Sequence, residues 1–127
     1  MANKYGAAAL MASQPGANLD PKARWQKAME SLYPTSPTAR KKGSPRGAFL
    51  GLCEEGLVIG IPPGHYSASR DDKAYAVHAA ALLSEEAQSW STTALWRAVT
   101  DDPEKPHSSQ MDVVMALWKN NLLVRKK

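Results

Sequence analysis

Apolar residues recur three and four positions apart along most of this chain, the spacing of one buried helix face. Trp25, Ala28, Met29 and Leu32 form such a stripe, with Asp20 placed to cap it, Pro21 at the first helical position and Pro34 to end it. Phe49, Leu52 and Cys53 form another, for which Ser44 is the expected cap and Pro45 the first residue, with Gly56 as a left-handed C-terminal cap. Beyond Ser69-Arg70-Asp71-Asp72, read as a capping box, a helix is expected through Tyr75, Ala79 and Leu82 to about Ser84. Ser91 can cap a short helix carrying Leu95, Trp96 and Val99, and Ser108 or Ser109 a last one carrying Met111, Val114, Leu117 and Trp118, closed by Asn120-Asn121. Leu57 to Ile61 is the one strand-like run, and residues 34–47 read as a loop rich in Pro, Ser, Thr and Gly.

Composition supports helices over sheet. The chain has 127 residues, 43% of them hydrophobic and 22% charged, enough apolar surface for one compact domain over 1–127. There is a single phenylalanine, Phe49, only two isoleucines, Ile59 and Ile61, and much alanine, the best helix former. The alanine-rich run after Lys4 and Tyr5 is too short and too poor in leucine for a signal peptide and reads as a first helix. The expected fold is therefore all-α: a compact bundle of about six helices with at most a short two-stranded element.

The two halves of the chain look alike. Residues 48–59 can be laid without a gap on 113–124, so that Gly56 meets Asn121 and Val58 meets Leu123. Ala23-Arg24-Trp25 then matches Ala94-Leu95-Trp96, and the helix after Tyr5 matches the one after Tyr75. A duplicated three-helix, helix-turn-helix-like unit over 4–61 and 70–124, its copies packed about a pseudo-two-fold axis, is one reading. Coincidence between amphipathic helices with similar caps is the other.

Net charge is only +4, low for a dedicated nucleic-acid binder, but its placement is uneven. No acidic residue occurs between Glu30 and Glu54, and within that gap Arg40, Lys41, Lys42 and Arg46 gather with Ser44 and Gly47 at the start of a helix. A helix N-terminus offers unpaired N–H groups and the positive end of the dipole, so this loop is the candidate anion site, with phosphate as the ligand class. Nucleic-acid phosphate or another polyanion is the implied partner, against the plain alternative of a solvated basic loop. The helix ending in Glu54-Glu55-Gly56 also has the outline of a recognition helix followed by a wing. It carries no Asn, Gln or Thr to read base edges, however, which argues against sequence-specific DNA binding.

Other candidates for chemistry are weak. Cys53 lies on an apolar helix face beside Glu54 and Glu55, the setting of a buried small hydrophobe and not of a thiolate nucleophile, and one cysteine excludes an internal disulfide. His65, His78 and His107 have no metal-ligand spacing, so neither a metal nor a cofactor is expected, and no catalytic residue is assigned. No stretch approaches the roughly 18 apolar residues of a membrane span; no membrane partner is expected and the cytoplasm is the default location. Trp90, just before a helix cap, and the apolar tail at Leu122 and Val124 are candidate interface residues for a homodimer or another partner.

Lys41-Lys42-Gly43, then Pro45 through Val58, then Gly60-Ile61-Pro62, together with Gln110-Met111-Asp112-Val113-Val114, resemble a family of small bacterial proteins of unknown function. Some such proteins are similar to products of mobile gene cassettes. The resemblance brings no activity, cofactor or site residue. Three functional classes remain: a non-enzymatic binding protein using the basic loop, a structural or adaptor protein acting through an interface, and an enzyme on a small phosphorylated substrate near His65, Tyr66 and Arg46.

Overall fold

The computed structural model describes residues 4–14, 20–66, 70–85, 90–100 and 109–124. They form a helical bundle: α1 (Lys4–Ser13), α2 (Pro21–Leu32), the single turn α3 (Pro37–Arg40), α4 (Gly43–Glu54), α5 (Arg70–Glu85), α6 (Thr92–Val99) and α7 (Gln110–Lys119). The local signals explain most of the boundaries. The Asp20 carboxylate accepts the Ala23 N–H at 3.0 Å with Pro21 at the first position, and Ser91 Oγ accepts the Ala94 N–H at 3.0 Å. Gly56 closes α4 at φ +72° and Asn121 follows α7 at φ +59°, both left-handed. Ser69 and Ser108 lie outside the described residues.

Two helix starts differ from expectation. Ser44 does not cap α4: the helix already begins at Gly43, the N-cap is Lys42, and no side chain makes a capping hydrogen bond. The Ser-Pro signal acts one step earlier, where Ser36 caps α3 by accepting the Ala39 N–H at 3.3 Å and Pro37 takes the first position. Residues 34–47, expected as loop, thus hold a helical turn that leads almost directly into α4. Pro45, the third helical residue, is tolerated because an N–H there would have no intrahelical partner. At α7, Ser109 is the N-cap but sits at φ +73°, and its side chain makes no capping bond.

The strand-like run is shorter than its sequence suggests. Val58 and Leu123 form an isolated antiparallel bridge, flanked by hydrogen bonds from Ile59 N–H to Leu122 C=O (2.9 Å) and from Val124 N–H to Leu57 C=O (2.8 Å). Gly60 at φ +92° then turns the chain, and Ile61 N–H donates to Val58 C=O at 3.1 Å. The bridge joins two residues that the internal alignment of the halves makes equivalent.

The core is assembled from contacts between α1 and α2, α1 and α7, α4 and α5, and α4 and α7. Trp25 stacks on Phe49 with ring centroids 5.3 Å apart, both sealed from solvent, and Tyr75 meets Trp96 edge-on at 4.9 Å. Leu52 and Cys53 are buried beside Phe49, as their helical spacing implies. Elsewhere small residues bring helix backbones close. A Cβ on Gly51 would stand 2.6 Å from Lys73 Cα of α5. No helix among the described residues is long and apolar enough to cross a membrane.

Candidate anion-binding site

The basic segment wraps the corner where α2, α3 and α4 meet, and its cations take different roles. Arg40 turns inward: its Nη1 donates to the carbonyls of Tyr33 (2.8 Å) and Pro34 (3.0 Å), tying α3 to the chain leaving α2. Lys42 places its Nζ 5.1 Å from the centre of the Tyr5 ring on α1. Lys41 is exposed. Together with Tyr5, Ser36, Thr38 and Ala39, these two lysines line an open hollow of about 610 Å³.

The hollow is built on a pair of tyrosines. Tyr5 and Tyr33 lie 5.3 Å apart, and the Tyr5 hydroxyl donates to Ala39 C=O at 3.2 Å, which holds α3 against α1. Burial, then the neighbouring Tyr33, pushes the Tyr5 phenol above its ordinary value, so it remains a neutral donor at physiological pH. Lys4, at the start of α1, lies 5.3 Å over the Tyr33 ring and donates to Leu32 C=O at 3.1 Å. No local signal marks these contacts, because Lys4 with Tyr33, and Lys42 with Tyr5, meet only through the tertiary packing of α1 on α2 and α3.

Along α4, Gly43 is exposed with nothing within 4 Å of where a Cβ would sit, so the start of the helix is open to a ligand. Ser44 and Arg46 are half-buried in the first turns, and Gly47 is buried. The N-terminus of α4 has no capping side chain, so its first amides keep their positive potential for an outside acceptor.

The other candidates fall elsewhere. Glu54 accepts the Tyr66 N–H at 2.9 Å and the Lys73 ammonium at 2.6 Å, and Glu55 also approaches Lys73, at 3.0 Å. The two carboxylates, Glu54 first, hold the Lys73 ammonium above its ordinary value. The Tyr66 hydroxyl donates to Pro62 C=O at 2.8 Å, so Tyr66 braces its own loop, and His65 is exposed beside it. This clip between α4 and α5 was not foreseen, since Glu54 and Lys73 have no periodic relation. Burial pushes the Cys53 thiol up to about 12, which leaves it a protonated core group. Among the described residues no group of three or more His, Cys, Asp or Glu side chains is placed to hold a metal ion.

Of the candidate interface residues, Trp90 is half-buried, and its indole N–H is shielded from solvent with no acceptor among the described residues. Leu122 is half-buried and Val124 is 47% exposed. Because Val58 and Leu123 of the bridge point into the core, Leu122 and Val124 share its outer face with Leu57 and Ile59.

The chain belongs to a family of unknown function (DUF6979), whose model matches residues 2–124. No curated protein and no solved structure matches it.

Proposed function

We propose that this protein is a non-enzymatic binding protein that takes up an anion, of the phosphate class, at the corner formed by α3 and the start of α4. The observation that supports it is the uncapped N-terminus of α4, open at Gly43, beside the lysine-lined hollow on Tyr5. An anion there would accept from the amides of Gly43 and Ser44 and from the Ser44 hydroxyl. Lys41 and Lys42 would supply charge from the hollow and Arg46 from the helix, with no carboxylate between Glu30 and Glu54 in the sequence to oppose them. Arg40 serves as the brace that fixes the corner, and Gly47 as packing beneath it. A polyanion such as nucleic acid would engage the same corner through its backbone phosphates, without reading bases.

The test is retention on heparin and on duplex DNA at low salt. Replacing Arg40, Lys41, Lys42 and Arg46 together by Ala removes retention if the corner is the site. Unchanged retention by the folded quadruple variant rejects it.

The same reading includes a duplication of the half-unit. In its favour, Gly56 and Asn121 close equivalent helices, Leu57 N–H to Leu52 C=O and Leu122 N–H to Leu117 C=O are equivalent bonds, each 3.0 and 2.9 Å respectively, and α4 packs on α5 as α7 packs on α1.

A further inference from the structure

We infer that the outer face of α5 is a self-association surface, on which a second copy of this chain docks its own α5 antiparallel. The buried side of α5 is Ala76, Ala79, Ala80 and Leu83. On the opposite side Arg70, Ala74, Val77, His78, Ala81 and Glu85 all fall within an arc of ~100° at 100° per residue. The middle of this stripe is low in profile: Ala74 is exposed, Val77 and Ala81 are half-buried, and with the exposed His78 beside them they floor an open hollow of about 390 Å³ that Glu55 and Lys73 border. Its two ends carry exposed charges of opposite sign, Arg70 and Glu85.

The arrangement is symmetric about the midpoint between Val77 and His78. A two-fold axis there sets Arg70 of each chain opposite Glu85 of the other, Ala74 opposite Ala81, and Val77 opposite His78. Both ion pairs therefore form in the same register that brings the alanines into contact, and alanines permit helix axes to approach to ~8 Å. A parallel arrangement would place Arg70 on Arg70 and Glu85 on Glu85, so charge selects the antiparallel one. Lys73 is held to Glu54 and Glu55 of its own chain at the edge of the hollow, so it supplies no competing positive charge at the centre. One helix face is small beside the ~1,200 Å² or more of a stable interface, so the dimer is weak and depends on concentration.

Sedimentation of the full chain over a range from about 10 µM to about 1 mM, the span of weak association constants, tests it. The expected result is a monomer–dimer equilibrium. Arg70→Glu and Glu85→Arg should each weaken it by about tenfold or more, by setting like charges face to face twice per dimer, and the double variant Arg70→Glu/Glu85→Arg should recover most of the loss. Ala74→Lys, at an exposed position that cannot disturb the core, should also weaken it. A monomer at every concentration overturns the inference and leaves the face to some other protein. A dimer indifferent to the single reversals, or not rescued by the double one, also overturns it.

Discussion

Two corners of the bundle solve the same packing problem in different ways. Where α4 crosses α5, the small residue is Gly51, and a Cβ on it would meet Lys73 Cα and Cβ at 2.6 Å. Where α7 crosses α1, the residue that falls on Gly51 when 113–124 is laid on 48–59 is Ala116, and the glycine is on the other helix: a Cβ on Gly6 would meet Ala116 Cβ and Asp112 C=O at 3.2 Å. The first corner is closed to the width of a backbone, whereas the second has a few tenths of an ångström to give. The α4–α5 corner also carries the Glu54–Lys73 clip, which makes it the tighter of the two. A similar helical pattern can thus support corners of unequal tolerance, depending on which helix lacks the side chain.

Aromatic truncation should give the widest contrast. Phe49→Ala removes a fully buried ring stacked on Trp25 and should cost about 3–5 kcal/mol in urea or thermal unfolding, whereas Tyr75→Ala, at a half-buried ring, should cost clearly less. Glycine replacement tests the corners directly. Gly51→Ala should cost about 2 kcal/mol, because the clash is with the backbone of α5 and exceeds the gain in helix propensity. Gly6→Ala should stay within about 1 kcal/mol of the wild type, since the gain of ~1 kcal/mol in propensity offsets the milder crowding. Equal losses would refute the difference between the corners.

The two helix ends should respond with opposite signs. Gly56→Ala forces a side chain into the left-handed region and should lose about 1 kcal/mol, while Asn121→Gly relieves it and should gain a few tenths. The clip adds a small effect that depends on pH. The Lys73 ammonium titrates higher in the folded chain than in the unfolded one, so its contribution is present below the unfolded value and is lost as pH rises through the folded value. With that side chain 29% exposed, Lys73→Met should cost no more than about 1 kcal/mol at neutral pH and should lack the part of the alkaline loss that the wild type shows.

Much of this architecture is legible in the sequence because its signals are local. Asp20-Pro21, Ser91, Gly56 and the Asn120-Asn121 pair act within one turn of themselves, and the stripes through Trp25, Phe49 and Leu117 need only the helical period to be read. Where two equal local signals compete, as Ser36-Pro37 and Ser44-Pro45 do, the chain gives no way to choose, and the tertiary contact of Ala39 with Tyr5 is what distinguishes them. Leu57 to Ile61 has strand composition, but Gly60 turns the chain after one bridge. At the candidate site the charge gap and the helix start are visible in the sequence, while the Tyr5–Ala39 bond beneath them and the tie from Lys4 to Leu32 beside it are not, since they join residues about 30 positions apart.

Anion uptake at the start of α4 can be followed through the backbone amides by NMR during titration with inorganic phosphate. An anion bound there should give saturable shifts centred on Gly43 and Ser44, accompanied by Lys41 and Lys42, and reduced when Lys41, Lys42 and Arg46 are replaced by Ala. Amides at Gly43 and Ser44 that do not move, or shifts that saturate on another part of the surface, would contradict it.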